Sequence, residues 1–284
     1  MSDRFHPVPI GPLARLLKED YETRHEMLGI PKALFWDPKE PLLHTGIFGK
    51  TLETPLGVAA GPHTQLAGNI VAAWLVGARF IELKTIQTLD ELDVAKPCID
   101  AEDLTFNCEW SQELRLEQSL DEYIKAWVLL HTLRKKLWGE LDPAAPGFVF
   151  NMSVGYDLEG ILNPNVTRFL EGMADATTRI RELQEELAEI LPEAAQVEIP
   201  PTLSDNVTLS TMHGCPPEEI EQIAHHLLTK RKVHTTVKMN PTLLGPDLLR
   251  ALLNQQAGFS EVDVPDAAFE HDGPESRLTV TLEY

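Results

Sequence analysis

Segment 210–217 holds two side chains that are well suited to proton transfer. Cys215 and His213 lie there, between a predicted strand and a predicted helix start. The positive end of a helix dipole lowers the pKa of a nearby thiol, so Cys215 could serve as a general acid or base, assisted by His213. An inert buried cysteine beside a proline cap is an equally good interpretation. We take Cys215 and His213 as candidate catalytic residues, whereas Cys98 and Cys108 are expected to fill space.

Lys84 and Lys238 each end a strand that is predicted from β-branched or aromatic residues. A lysine in the mouth of a parallel β structure is unfavourable unless its ammonium meets an anion or an electron-rich heterocycle. The alternative is a lysine that reaches solvent or pairs with a neighbouring carboxylate such as Glu82, and for either lysine alone we prefer this alternative. Two lysines at equivalent strand ends favour ligand binding instead.

Two asparagines and one loop of small residues complete the candidate site. Asn151 lies at a predicted strand end, where its amide could bind the edge of a heterocycle or satisfy the backbone of a turn. Asn107 lies in the irregular segment 86–118 and could contact substrate or stabilise a turn. The run 59–61 (Ala-Ala-Gly) ends another strand, and its small side chains let a flat group approach the backbone closely.

The elements that must position these residues alternate along the chain as strand and helix. Such alternation is typical of a parallel sheet with crossover helices, and both a barrel and an open doubly wound sheet fit it. The barrel is favoured, because polar residues end nearly every strand and a barrel brings all those ends to one mouth. We therefore predict an α/β fold, a TIM (β/α)8-type barrel that is incomplete, with about six strands. The predicted elements are a hairpin turning near 48–49, strands 56–60, 80–83, 147–152, 207–210 and 235–238 and a short one near 260–263, and helices 66–76, 119–138, 166–191, one opening at Pro216, and 246–256.

Composition and charge narrow the classes of function. A formal net charge of -20 repels phosphate backbones and argues against nucleic-acid binding. No apolar run is long enough to span a bilayer and no signal-peptide core is present, so we expect a cytoplasmic protein without a membrane partner. Three cysteines without a Cys-x-x-Cys pair argue against a disulfide framework and a metal site. We divide the chain into a helical leader (1–44), a barrel domain (45–272) and an atypical tail (273–284).

Several segments together resemble the FMN-dependent (β/α)8 barrels of the dihydroorotate and dihydropyrimidine dehydrogenase family. Three longer phrases, 59–66, 96–103 and 209–217, are similar to the amino-terminal part of the family of selenate reductase iron–sulfur/flavoprotein subunits. In that family a barrel precedes a region that binds FAD, NAD(P)H and iron–sulfur clusters of the 4Fe-4S type. In the order of the dehydrogenase family, the matching segments are 55–61, 82–85, 106–107, 151–153, 209–210 with 215–216, and 237–241.

The resemblance implies roles for individual residues. It places the backbone of 59–61 beside an FMN ring and the two lysines at the polar edge of that ring. Cys215 would lie on the loop that carries the acid/base residue of the family, although four extra residues, 211–214, make His213 a rival for proton transfer. The cofactor-binding residues that it implies are Ala59, Ala60, Gly61, Lys84, Thr85, Asn151 and Lys238, and the substrate-binding residues are Asn107 and Asn240.

Three functions remain as hypotheses. The first is a domain of a multi-cofactor oxidoreductase that moves electrons between a nicotinamide-fed flavin and a small-molecule substrate, with other oxidoreductase subunits as partners. The second is an inactive barrel scaffold within a larger reductase complex. The third is a stand-alone barrel enzyme that uses Cys215 and His213 without flavin. Because the resemblance assigns the FMN phosphate to loops after strands seven and eight, we expect the chain ending at Tyr284 to lack that anchor.

Overall fold

The elements of the chain follow the predicted strand–helix alternation. The computed structural model describes residues 5–39, 41–88, 113–139, 145–155, 157–210, 217–238 and 241–270, and the backbone alone of 99–100 and 107–108. The strands are β1 Glu26–Met27, β2 Ile30–Pro31, β3 Thr45–Ile47, β4 Lys50–Leu52, β5 Gly57–Val58, β6 Phe80–Glu82, β7 Ile99–Asp100, β8 Asn107–Cys108, β9 Val149–Val154, β10 Asn206–Ser210 and β11 His234–Lys238. The α-helices are α1 Ile10–Glu19, α2 Ala67–Leu75, α3 Leu116–Trp138, α4 Leu158–Ile161, α5 Pro164–Ala174, α6 Thr177–Ala188, α7 Pro217–His226, α8 Pro246–Arg250 and α9 Ala267–Glu270.

Five parallel strands form the central sheet, in the spatial order β5-β6-β9-β10-β11. Each strand of the sheet therefore pairs with the sheet strand that precedes it along the chain. An open doubly wound sheet would reverse this order at a switch point, whereas a barrel adds its strands one after another around an axis. The sheet confirms the predicted α/β fold, and its sequential order is that of a barrel.

The strands are apolar on one face and polar on the other, because successive side chains point to opposite faces. On the helix-facing side, Phe150 packs against Trp127 of α3 with ring centroids 5.1 Å apart. On the opposite side lie Glu82, Asn151 and Thr208, all of which are buried. The sheet thus buries an apolar layer under the helices and keeps a polar layer on its concave face.

Helix α3 is the longest helix and covers much of the apolar face. It spans Leu116–Trp138, in agreement with the helix predicted over 119–138. The side-chain oxygen of Gln118 accepts a hydrogen bond from the backbone N–H of Arg115 at 3.0 Å, which satisfies a donor at the start of the helix. Gly139, with a φ of 79°, ends it.

The long helix predicted over 166–191 is wrong, because the structure contains two helices there. Helix α5 ends before Asp175, whose φ and ψ of -147° and 106° are extended. The carboxylate of Asp175 accepts a hydrogen bond from the backbone N–H of Thr177 at 2.9 Å, while Ala176 N donates to Pro201 O. These bonds offer the backbone an alternative to continuing the helix, which the apolar periodicity alone does not reveal.

The sixth strand predicted near 260–263 is also wrong. This segment forms a turn, and the side-chain amide of Asn254 donates to Phe259 O and Val262 O, at 2.7 Å in each case. Gly258 begins the turn with a φ of 82°. The described part of the chain therefore contributes five strands to the parallel sheet.

The leader predicted over 1–44 contains one well-packed helix. Leu13, Leu17 and Met27 belong to the same apolar core as the helices of the sheet. Lys18 Nζ also donates to Ile190 O at 3.2 Å, just beyond α6. Within the described ranges, no helix has the length and apolar character needed to cross a bilayer.

The hairpin β3–β4 lies at the amino ends of the sheet strands. Its turn is at Phe48 and Gly49, with φ values of 51° and 70°, as predicted. The Phe48 ring stacks on His234 at the start of β11, with centroids 5.0 Å apart. Lys50 forms an ion pair with Asp205, which directly precedes β10. The hairpin therefore covers the end of the sheet opposite to the candidate site.

Candidate functional site

Glu82, at the carboxyl end of β6, is the best-connected charged residue of the polar face. Its side chain is only 11% exposed. One carboxylate oxygen accepts a hydrogen bond from Ala60 N at 3.0 Å. The ammonium of Lys238 lies 3.3 Å and 3.5 Å from its two oxygens. Glu82 thus joins the loop after β5 to the end of β11.

The pair between Glu82 and Lys238 shows that both side chains occupy the concave face. Strands β6 and β11 are separated in the sheet by β9 and β10. Three strand spacings amount to about 14 Å in a flat sheet, so the two side chains must reach across the curled interior to meet. The Lys238 side chain is 44% exposed, so it lies at the edge of the interior and not in its buried centre.

The loop 59–61 is held in place from two sides. Besides the bond from Ala60 N to Glu82, Gly61 N donates to the hydroxyl of Thr64 at 3.2 Å, and Thr64 N donates to Gly61 O at 2.9 Å. The imidazole of His63 lies over Gly61, where a Cβ would come within 2.5 Å of the ring carbon Cε1. A Cβ at this position would displace the His63 ring, whereas the φ of -176° is ordinary extended backbone.

Lys84 lies two residues beyond the end of β6, next to His63 of the loop after β5. Its charge acts on His63: burial holds the pKa of this imidazole below its ordinary value, and the Lys84 ammonium lowers it further. The neighbouring Thr85 hydroxyl lies 2.8 Å from the Ser153 hydroxyl of β9. The carboxyl ends of the strands thus hold the pair between Glu82 and Lys238 and the two hydroxyls, with Lys84 beside the half-buried imidazole of His63.

Asn151 lies deeper than predicted, because β9 runs two residues further than the strand predicted over 147–152. The Asn151 side chain is fully buried. Its amide nitrogen donates to Asn206 Oδ1 and its amide oxygen accepts from the Thr208 hydroxyl, at 2.7 Å in each case. These bonds cross-link β9 and β10, and the implied contact of Asn151 with a cofactor stays a prediction.

For the remaining four predicted site residues, the structure describes no side chain. Cys215, His213 and Asn240 lie outside the described residues. Asn107 is described only through its backbone, which pairs with Asp100 in a two-residue antiparallel ladder. The catalytic and substrate-binding roles implied for these four residues stay predictions.

The sequence analysis considered Glu82 only as an ion-pair partner for a lysine, and it did not include Ser153 among the candidate site residues. A signal for Ser153 was available in the spacing: Asn151 and Ser153 stand two residues apart within β9, which directs both to one face. A period of two in polar residues is a weak signal by itself, since an exposed edge strand shows the same pattern.

A second concave region lies at the amino ends of the strands. It is a cavity of about 430 Å³ near the hairpin β3–β4. Its walls include the rings of Trp127 and Phe148, and Lys50 and Asp205 stand at it. Across the side chains that the structure describes, no group of three or more His, Cys, Asp or Glu residues is arranged to hold a metal ion.

The sequential parallel sheet and the polar groups at the carboxyl ends of its strands define a barrel of the TIM type with its candidate site in the usual position. The family described as "Oxidoreductase YgfK, N-terminal TIM-barrel domain" matches residues 28–277. The chain belongs to this family. The match confirms the predicted barrel and places the chain in an oxidoreductase family.

Curated relatives and solved structures are also similar to the chain. The provisionally named oxidoreductase YgfK of Escherichia coli, from strain K12 and from O157:H7, is 41% identical over 302 residues. The match covers 100% of this chain and 29% of each relative, so the chain spans under a third of their length. A crystal structure of ligand-free DHODH from Eimeria tenella is 20% identical, with a TM-score of 0.39 over 84% of this chain and 71% of that one. Its complex with ferulenol is 16% identical, with a TM-score of 0.36 over 86% and 69%. At these TM-scores the likeness carries no argument.

Proposed function

We propose that this chain is the FMN-binding barrel domain of a multi-cofactor oxidoreductase, in which electrons pass between a flavin and a small-molecule substrate. The proposal combines the membership in an oxidoreductase family with the resemblance of its motifs to FMN-dependent barrels. The rest of the enzyme would supply FAD, NAD(P)H and iron–sulfur clusters. Other oxidoreductase subunits as partners, and a cytoplasmic location, are parts of the same proposal.

The observation that carries the proposal is the donor set around the loop 59–61. Ala59 of this loop is exposed and Ala60 is partly exposed, whereas Gly61 is covered by His63. Lys84 and Lys238, which follow β6 and end β11, would supply ammonium donors, and His63 would supply an imidazole. An isoalloxazine ring has a flat apolar body and one edge of carbonyl oxygens and nitrogens. The residues present therefore suit that ring.

Each residue would have a definite task toward the ring. The loop 59–61 would form a flat support, which its fixation by Thr64 and Glu82 keeps rigid. Lys84 and Lys238 would donate to the polar edge and favour negative charge there. When bound, the cofactor supplies the hydride and electron chemistry that no side chain can perform. His63, whose pKa is lowered by burial and by Lys84, would be a neutral imidazole able to accept or return a proton at the mouth.

The phosphate end of the cofactor is not accounted for by the described residues. Among them we find no glycine-rich loop after a seventh or eighth strand, which is the element to which the family resemblance assigns the phosphate. The ring end alone gives weaker binding than a complete site, because the anion contacts add charge-assisted hydrogen bonds.

Visible absorption of the purified chain tests the proposal. The protein is mixed with FMN, desalted and compared with the same protein before FMN addition, and its folding is checked by circular dichroism. A flavin band that stays with the protein supports the proposal. A folded protein that retains no FMN through desalting, and that shows no binding in a fluorescence titration, overturns the proposal and favours the scaffold hypothesis.

A further inference from the structure

A carboxylate at the mouth needs an explanation in a site proposed for a ring with an electron-rich edge. Glu82 would repel the carbonyl oxygens of that edge if its charge were not offset. Its side chain is 11% exposed, so solvent screens the charge poorly. A buried carboxylate is tolerated where it is paired and hydrogen-bonded, and Glu82 has both kinds of partner.

Two contacts of Glu82 hold groups that the proposed site uses. The hydrogen bond from Ala60 N, at 3.0 Å, fixes the middle of the loop that would support the ring. The ion pair with Lys238 draws the long and flexible lysine side chain across the barrel interior. The contact distances of 3.3 Å and 3.5 Å are long for a charge-assisted bond, so Glu82 positions the ammonium without holding it in a short bond.

We propose that Glu82 is a positioning residue that orders the loop 59–61 and Lys238 and lowers the net charge of the mouth. Lys84 and Lys238 alone would place two positive charges beside the ligand. The Glu82 carboxylate offsets one of them, so the net charge of the three groups is +1. The inference rests on the proposed function, because its ligand is the flavin ring. Positive charge near the ring edge favours the reduced, anionic ring over the neutral oxidised ring. Glu82 therefore moderates how strongly the barrel prefers reduced flavin.

The variant Glu82→Gln tests this directly. The amide oxygen of Gln can still accept a hydrogen bond from Ala60 N, whereas the negative charge is lost. Asp205→Asn is a matched control, because it removes the carboxylate of another lysine pair at the opposite end of the strands. The measured quantity is the midpoint potential of FMN bound to the full chain, equilibrated with a reference dye.

We expect Glu82→Gln to raise the affinity for reduced FMN relative to oxidised FMN about tenfold, which is about 30 mV for a two-electron couple. Lys238→Met should shift the ratio in the opposite direction, and Asp205→Asn should leave it unchanged. If Glu82→Gln fails to fold, Glu82→Met, which also removes the charge and keeps the length of the side chain, takes its place.

Two results overturn the inference alone: bound FMN whose potential is the same in Glu82→Gln as in wild type, or an equal shift in the Asp205→Asn control. Wild-type protein that binds no FMN overturns the proposed function and this inference together. The failure of the inference is thus distinguishable from the failure of the function on which it rests.

Discussion

Each end of the barrel holds a glutamate that is paired with cationic side chains, and the two pairings differ in exposure and in bond length. At the carboxyl ends of the strands, Glu82 and Lys238 form a long contact, and the lysine is 44% exposed. At the amino ends, Glu53 pairs with Arg79 at 2.5 Å and with Arg134 at 3.2 Å. The Arg79 side chain there has no exposed surface.

The amino-end cluster has the features of a structural network. Arg79 also donates to the backbone carbonyl of Trp74 at 2.6 Å, so it links β6 to the end of α2. Gly147 lies against the Glu53 carboxylate, where a Cβ would come within 2.4 Å of Cδ, and its φ is 77°. Glu53 and Arg79 thus present almost no surface to a ligand. The difference teaches that exposure and bond length, more than residue type, distinguish the pair in the proposed site from a buried structural cluster.

The largest effect should follow from removing the charge of Glu53. Glu53→Gln leaves Arg79 and Arg134 buried without their counter-ion, and breaking a buried pair costs about 3–5 kcal/mol. Urea denaturation of wild type and variant measures the loss in free energy of unfolding. A loss below about 1 kcal/mol, as for an exposed pair, would contradict the structural role of the cluster.

A smaller effect should appear in the pH dependence of stability. His131 is 3% exposed. Burial, with a contribution from Arg134, lowers its pKa from 6.5 to about 3. The folded pKa is thus below the unfolded one, so the stability it contributes is present above pH 6.5 and is lost as the pH falls toward 3. At about pH 5 the loss should be about 2 kcal/mol.

The variant His131→Leu tests this pH dependence. Between about pH 7 and pH 5 its free energy of unfolding should fall by about 2 kcal/mol less than that of wild type. His225→Gln, at an exposed site on α7, serves as the control and should follow wild type. Parallel curves for His131→Leu and wild type would show that His131 does not titrate on unfolding.

At the mouth, Lys84→Ala and Lys238→Ala should each weaken FMN binding about tenfold, because each removes a charge-assisted hydrogen bond worth about 1.5–3 kcal/mol. Fluorescence titration measures the dissociation constant, and Lys50→Ala at the amino end is the matched control. Unchanged affinity in both mouth variants would refute the assignment of these lysines to the ring edge.

The smallest effect should come from the ion pair between Lys50 and Asp205. Both side chains are 41% exposed, so solvent screens their attraction. Lys50→Ala should change the free energy of unfolding by less than about 1 kcal/mol. A loss comparable to that of Glu53→Gln would show that the hairpin pair, and not the buried cluster, dominates the stability of this end.

The sequence predicted the fold better than the site, for physical reasons. Strands and helices follow local apolar periodicity, so the hairpin turn at Phe48, helix α3 and the strands of the sheet were found within a few residues. The break at Asp175 and the turn held by Asn254 depend on single side-chain hydrogen bonds, which no periodicity contains. The pairing of Glu82 with Lys238 joins residues 156 positions apart on strands that are not neighbours. It depends on the curvature of the sheet, which local patterns do not contain.

A crystal structure of the chain, from crystals grown in the presence of FMN, tests the central claim most directly, because the two ends of the barrel offer different places for the ring. The account predicts an isoalloxazine ring against the loop 59–61, with its polar edge within hydrogen-bond distance of Lys84 and Lys238. A ring in the amino-end cavity of about 430 Å³, beside Trp127 and Phe148, would contradict it.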